Sequence, residues 1–541
     1  MAFIKRVRII GFKRFKDTTI TFNPDKTILV GDNESGKSTV LEAIDLAMNR
    51  NLRMFDLSLL EILFNERNKE RFLDQKNIAT LPKIIIQIFI GGAKGDPNFN
   101  EFYGQNYEMN SHNKEDFGLQ FEASFDMSFA SLPEIQKQIS EGFIPCEYYK
   151  LTSITFGNMP FRQTLSPISY TLIDTSSGRT PSFYSYTKSV FYSYFTVEEQ
   201  AQIKNSFSGR IRESIANTMA EIPANGDGKP NFGADIQKSS FENVVEIYEN
   251  ELPLSSAGQG RETLIKTNMM IRGKSNANVI AIEEPENHLS HSSLTSMIDL
   301  IEKAQKGKQI ILTSHSSRIA SGVGLNNVVV LSKDNEQVFS LKDLSASTAN
   351  LFRKLPTDSL LHFILSKKAI LVEGPSELLY MDCFFSRLFP NKSLGQEGIS
   401  VISVNGLSFF AYAEVGAILG KKIAIVTDND NKKDKEKSFK QKLLGLYKST
   451  DNAQVFMEPD LHLRTFELCL FHDNEELIKK ILPLEEGHDY SHPYSNGERY
   501  LGKMLNNKVD SALLLSRSPD FRQLAKIPQY IENALRFLVN E

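Results

Sequence analysis

The sequence predicts an α/β protein of two modules, each organised on a parallel sheet whose strand ends carry polar residues. Three observations carry this expectation. A glycine-rich loop, Gly31-Asp32-Asn33-Glu34-Ser35-Gly36-Lys37-Ser38, stands between an apolar run at 27–30 and a stretch with helical spacing. Two later apolar runs, 278–282 and 309–313, end in Glu283-Glu284 and in Ser314-His315-Ser316. Two more, 369–372 and 423–427, end in Glu373-Gly374 and in Asp428-Asn429-Asp430. Strands buried on both faces read as continuous apolar runs, and ligands of an open parallel sheet gather at the carboxyl ends of its strands.

In chain order, residues 4–11 and 18–22 alternate like two strands and lead into the loop. The loop has the spacing of a phosphate-binding loop. Gly31 and Gly36 let backbone N–H groups wrap phosphates, Lys37 reaches the terminal ones and the Ser38 hydroxyl ligates magnesium. Asn33 and Thr39 complete the predicted contact set. Val40, Leu41, Ile44, Ala47 and Met48 form one apolar face, so a helix follows with its N-terminus toward the anion. A chance glycine turn would lack this strand and helix in register.

Residues 80–175 hold β-rich runs at 83–90, 119–125 and 146–154, separated by Gly91-Gly92, Asp96-Pro97-Asn98 and Asn158-Met159-Pro160. Residues 178–250 turn helical and mixed in charge, as at 197–220, with a loop at 224–231; an inserted dimerisation arm and a plain helical spacer both fit. Leu254-Ser255-Ser256-Ala257-Gly258-Gln259-Gly260 precedes a helical run at 262–271, another arrangement suited to an anion. The three strand ends of this module would bring Lys37, the Glu283/Glu284 pair and His315 to one crevice. There Glu283 can hold magnesium through a water or Ser38, Glu284 can polarise the attacking water, and His315 can sense the γ-phosphate. Singly, such a carboxylate is as readily a helix cap and such a histidine a satisfied polar residue; their order and spacing favour the joint reading.

Together the loop, LSSAGQG, IAIEEPENHL and TSHS resemble the ABC-type ATPase heads of the SMC and RecF group. The resemblance implies ATP as cofactor, and a site completed by Ser255, Ser256 and Gly258 of another protomer, hence a homodimer or tetramer. This sequence departs from the pattern in carrying glutamate, Glu283, where aspartate is usual, and Gln87 and Gln163 both stand as candidates for the glutamine loop. No long heptad region separates the two halves of the head.

In the second module, Glu373 and the Asp428/Asp430 pair can converge on hard divalent cations, which take oxygen ligands and activate water at a phosphodiester. Alone, an Asp-x-Asp pair is a solvated turn. With the strand-Glu-Gly segment the pattern resembles the Toprim fold. An ATPase head followed by Toprim resembles the OLD (overcoming lysogenisation defect) family, which includes the nuclease subunit of the Gabija defence system and retron-associated effectors. The resemblance implies Mg²⁺ or Mn²⁺ held by Glu373, Glu377, Asp428, Asp430 and Glu467, with Ser38 as the metal ligand of the ATP site. It implies Lys508, with Lys503 nearby, as the lysine that stabilises cleavage, DNA as substrate, and a role in antiphage defence with a partner protein or a reverse-transcriptase and noncoding-RNA complex. An ATPase with a non-cleaving Toprim scaffold is the rival. A topoisomerase would need a tyrosine nucleophile, and Tyr490, Tyr494 and Tyr500 have no recognisable context; a primase would show a zinc segment.

The domain expectation is an ATPase head at 1–177 and 251–345 around the 178–250 insertion, a linker at 346–365, and Toprim at 366–541. With 41% hydrophobic and 24% charged residues the 541-residue chain has an ordinary globular composition. Three separated cysteines make neither a disulfide framework nor a zinc pattern and are expected in the core. No apolar signal core or membrane span is evident, so a cytoplasmic protein is expected. A net charge of −4 gives no global attraction to nucleic acid. Eight lysines between Lys421 and Lys442 offer a local basic patch that reads either as a solvated face or as a DNA-backbone contact.

Overall fold

The computed structural model describes residues 2–49, 56–92, 95, 97–105, 115–162, 166–174, 190–191, 194–220, 241, 245–273, 278–303, 307–333, 336–354, 358–405 and 408–539. They form two compact units, Met1–Val323 with Asn327–Ser340, and Gly324–Asn326 with Leu341–Glu541.

The first unit begins with β1 (Phe3–Phe12) and β2 (Phe15–Thr21), followed by β3 (Lys26–Val30) and, after the loop, α1 (Lys37–Asn49). β4 (Ile84–Gly91), β5 (Asp116–Phe125) and β6 (Tyr149–Thr155) join β1 and β2 in an antiparallel sheet of order β2-β1-β4-β5-β6. Every residue of β4 is buried, which matches a sequence apolar but for Gln87, whose amide is satisfied by Gln120. Next come β7 (Tyr170–Asp174), α2 (Val197–Ala220), α3 (Gln259–Arg272), β8 (Val279–Glu283), α4 (His291–Glu302), β9 (Gln309–Ser314), β10 (Val328–Leu331) and β11 (Val338–Ser340). The second sheet runs β11-β10-β3-β9-β8-β7 and is parallel except at its edge strand β11. The helical segment at 197–220 matches α2, whereas the loop at 224–231 lies outside the described residues.

One buried amide joins the two sheets. Gln309 Nε2 donates to the carbonyls of Ile4 and Asn23, and its Oε1 accepts the N–H of Ile4, each at 2.8 Å. A buried side chain that satisfies three backbone groups at once holds the register between layers, since each group would otherwise be stranded away from water.

The second unit begins with α5 (Ala346–Lys354) and α6 (Asp358–Leu365). Residues 346–365, expected from sequence as a linker, are therefore largely helical. Phe352 and Phe363 pack edge-on against Tyr412, with ring centroids 5.0 and 5.3 Å apart, and this buried aromatic contact is the physical reason. β12 (Lys368–Val372), α7 (Pro375–Leu388), β13 (Ile399–Ser403), α8 (Phe409–Ile418), β14 (Lys422–Val426), α9 (Lys435–Tyr447) and β15 (Ala453–Phe456) follow. α10 (Phe466–Ile481), α11 (Arg499–Asn506), α12 (Lys508–Arg517) and α13 (Gln529–Val539) close the unit. Its four strands are all parallel in the order β13-β12-β14-β15. The chain leaves β12 toward β13 on one side, and β14 returns on the other. The carboxyl ends of β12 and β14 thus border a topological switch point, where an open α/β sheet forms its crevice.

All three cysteines are buried and free. Among the described residues no helix is long and apolar enough to cross a membrane.

Candidate functional site

In the first unit the glycines of the loop are dictated by space. Gly36 has φ +96°, and a Cβ there would stand 2.5 Å from Arg14 Cδ and 2.6 Å from Phe15 Cζ. At Gly31 a Cβ would stand 2.6 Å from the Leu331 carbonyl. Lys37 is 5% exposed and folds back on the loop, donating to the carbonyls of Gly31 at 3.0 Å and Asp32 at 3.1 Å. Burial lowers its pKa, opposed by the charges of Glu284, Asp32, Glu286 and Glu283.

Parallel pairing sets Glu283 at the end of β8 between Thr313 of β9 and Asp174 of β7. Glu284 turns out of the strand with φ +43°, its N–H held by the Thr313 carbonyl and hydroxyl, both at 3.1 Å. Its carboxylate accepts from Asn287 Nδ2 at 2.9 Å and lies 3.4 Å from His315 Nε2. Burial and the neighbouring Lys37 charge lower the pKa of His315, against the pull of Glu284 and Asp32. Lys13, Arg14, Asn33, Glu34, Gly36, Lys37, Ser38, Thr39, Glu284 and His315 line one open cavity of about 420 Å³.

Gly258, the exposed N-cap residue of α3, does not line this cavity and has nothing within 4 Å of a Cβ placed on it, while the Ser255 side chain lies outside the described residues. Gln87 is buried in the antiparallel sheet and donates to Gln120 Oε1 at 2.8 Å, while Gln163 lies outside the described residues. Sequence reasoning gave no role to Glu286, which accepts the Ser314 hydroxyl at 2.8 Å and the His315 N–H at 2.6 Å. Its burial raises its pKa. The signal was present as an acid two residues beyond Glu284, but nothing local says that it turns toward β9.

In the second unit, Glu373 leaves β12 and Asp428 leaves β14, on adjacent strands at the switch point. Glu373 Oε1 accepts the Asp428 N–H at 3.1 Å and the Thr427 hydroxyl. Asp428 Oδ1 accepts the N–H of Phe466 at 2.9 Å, which ties β14 to the first turn of α10, where Glu467 stands. Glu377, in the first turn of α7, accepts the Ser376 hydroxyl at 2.8 Å, and that hydroxyl is 3.5 Å from Glu467 Oε1. Lys508, the first residue of α12, donates to Glu467 Oε2 at 2.9 Å. Lys503 instead donates to the Pro483 carbonyl.

The electrostatics bind these groups into one cluster. Burial first, then the charges of Glu373, Glu467 and Glu377, push Asp428 up to about 8, with Lys508 opposing. Burial likewise raises Glu377, with Glu467 and Glu373 adding to it. Burial works against the Lys508 ammonium, yet Glu467, Asp428 and Glu377 outweigh it and its pKa rises. Asp430 stands apart: it is exposed, has φ +52°, and pairs with Lys435 at 3.0 Å and Lys432 at 3.7 Å. Among the described residues no three His, Cys, Asp or Glu side chains converge as a metal-binding group. The donor chemistry nevertheless suits Mg²⁺ or Mn²⁺, since every acidic group is a hard oxygen donor and the Glu373, Glu377 and Glu467 charges all act on Asp428. Of the lysine run, Lys421 is buried and donates to the Ser366 carbonyl, while Lys432, Lys433, Lys437, Lys440 and Lys442 are exposed.

Comparison with known proteins gives two family matches. The profile described as AAA ATPase domain matches residues 3–144 and 172–320, more than half of the chain. The profile described as overcoming lysogenization defect protein-like, TOPRIM domain, matches residues 364–430. Endonuclease GajA of Bacillus cereus (strain HuB5-5) is 21% identical, with 99% of this chain and 96% of the relative covered. Old nuclease of Escherichia phage P2 is 23% identical over 36% of this chain and 37% of its own length. The solved C-terminal region of the Burkholderia pseudomallei OLD protein is 22% identical, covering 32% of this chain and 98% of that one at a TM-score of 0.26. The chain belongs to the OLD family, an AAA ATPase domain followed by an OLD-like Toprim domain.

Proposed function

We propose that the protein is an ATP-binding, metal-dependent DNA endonuclease in which nucleotide state gates cleavage. The observation that carries this reading is the cluster of Glu373, Glu377, Asp428 and Glu467 at a sheet switch point with the Lys508 ammonium bonded into it. An acidic cluster with one fixed cation suits phosphodiester hydrolysis, where negative charge develops on an oxygen. Glu373, Glu377, Asp428, Asp430 and Glu467 would hold Mg²⁺ or Mn²⁺, which supplies an activated water and neutralises the leaving oxygen. Lys508 neutralises charge developing on the phosphate, and Glu467 holds it in place. The five exposed lysines beside the site contact the DNA backbone. The match to Endonuclease GajA along nearly the whole of both chains supports the nuclease reading.

In the first unit ATP would take the 420 Å³ cavity, and Lys37 would exchange its two backbone carbonyls for phosphate oxygens. Ser38 and Glu283 would hold the magnesium there, Glu284 would act on the attacking water and His315 on the γ-phosphate. Asn33, Gly36 and Thr39 line the phosphates beside Gly31. Gly258 stands outside its own cavity, which supports a homodimer or tetramer in which the Ser255 and Gly258 of another chain complete each site. The resemblance to OLD-family effectors supports a cytoplasmic role in antiphage defence, alongside a partner protein or a reverse-transcriptase and noncoding-RNA complex. The absence of three converging acids among the described residues favours the scaffold reading instead. Supercoiled plasmid with Mg²⁺ or Mn²⁺ and an ATP titration decides between them. Wild type is expected to nick or linearise the plasmid, Asp428→Ala to be inert and Lys37→Ala to lose the ATP dependence. No cleavage under any metal or ATP condition, with or without the products of neighbouring genes, would leave the scaffold reading standing.

A further inference from the structure

Lys435, one of the eight lysines of the 421–442 run, turns its ammonium onto the acidic site. Its Nζ lies 2.5 Å from the Asp428 carbonyl oxygen, 3.0 Å from Asp430 Oδ2, 3.1 Å from Thr427 Oγ1 and 3.7 Å from Glu373 Oε1. Two carboxylates, a carbonyl and a hydroxyl are the hard oxygen donors that a divalent cation takes. The Lys435 side chain is 13% exposed, unlike Lys432 three residues earlier at 70%. Its placement also accounts for the orientation of Asp430, whose carboxylate pairs with this ammonium.

We propose that Lys435 is a built-in counter-cation that occupies the Glu373 and Asp430 oxygens in the metal-free protein and is displaced when a divalent cation binds. The proposal rests on the metal-site reading above. Placing an ammonium between two acidic groups relieves their mutual repulsion in the absence of metal. The same contact competes with metal, because both cations require the same lone pairs. Lysine suits this exchange: it is a compact charge on a flexible four-carbon stem, which can swing aside without moving the backbone.

Two measurements on the EDTA-treated full chain test this. In a Mn²⁺ titration followed by the electron paramagnetic resonance of free Mn²⁺, Lys435→Met and Lys435→Gln are expected to bind about tenfold more tightly than wild type, the factor for roughly one charge-assisted contact no longer broken on binding. Lys435→Arg, which keeps the charge, is expected to bind no more tightly than wild type. In wild type alone, acetylation of Lys435 read by mass spectrometry is expected to rise on adding Mn²⁺, as the ammonium leaves its carboxylates. Wild-type binding with unchanged or weaker affinity in both neutral variants, or Lys435 labelling that does not rise with Mn²⁺, overturns the counter-cation role alone. An absence of Mn²⁺ binding in wild type and every variant overturns the metal site and this proposal with it.

Discussion

Lys508 Nζ and Glu467 Oε2 meet at 2.9 Å and join the first turns of two helices 41 residues apart. The Glu467 side chain is 4% exposed and that of Lys508 46%, so the carboxylate depends on this bond far more than the lysine does. Lys508→Met is expected to destabilise the metal-free protein by about 1–3 kcal/mol, the cost of leaving a buried acceptor unpaired. Adding Glu467→Gln should recover most of that stability in urea titrations but none of the plasmid cleavage. Recovery of cleavage by the double variant would show that Lys508 acts only through folding.

Asp428 gives the metal-free protein a specific pH dependence. Its ordinary pKa of 3.8 rises to about 8 on folding, through burial and the charges of Glu373, Glu467 and Glu377. Between those values the folded state holds a proton that the unfolded chain has released, so stability is greatest below the unfolded pKa and falls as pH rises toward 8. The slope from this group approaches about 1.4 kcal/mol per pH unit. Chemical denaturation in EDTA from pH 5 to 8 should show the decline, and Asp428→Asn should flatten it. A wild-type slope unchanged by that substitution would refute the assignment.

Glu286 links the end of β8 to the histidine after β9, and its removal should separate nucleotide binding from turnover. Glu286→Ala strands the Ser314 hydroxyl and the His315 N–H, at an expected cost of about 1–3 kcal/mol. With His315 no longer anchored, ATP turnover should fall about tenfold, while affinity for a fluorescent ATP analogue, set by the loop and Lys37, changes less than about threefold. Equal losses in both would assign Glu286 to binding.

Gly36→Ala tests whether the loop conformation is required. The residue sits at φ +96°, and the new methyl carbon would fall 2.5 Å from Arg14 Cδ and 2.6 Å from Phe15 Cζ. An expected destabilisation of about 1–3 kcal/mol combines backbone strain with displacement of those side chains. Thermal melts with and without ATP should show both a lower midpoint and a lost ATP-induced rise.

Much of the architecture is legible from one dimension. The runs at 278–282, 309–313, 369–372 and 423–427 correspond closely to strands β8, β9, β12 and β14, because a strand covered on both faces is apolar except where a buried polar group such as Gln309 is satisfied. Val40, Leu41, Ile44, Ala47 and Met48 are all buried on α1, as a 3.6-residue period requires. The helices at 346–365 were hidden because their burial depends on Tyr412, a residue far along the chain.

The sequence by itself determined where the glycine-rich loop and the strand-end carboxylates sit, since both are set by local sterics and burial. Only the tertiary structure decided which of those groups touch. Ser376 approaches Glu467 across 91 residues, and Lys508 approaches it across 41. Lys435 pairs with Asp430 and also reaches Glu373 of the cluster that Asp428 joins. Strand order and the entry angle of each helix set those encounters, and Coulomb energies falling with distance then select the partners; neither quantity is written in the spacing of residues along the chain.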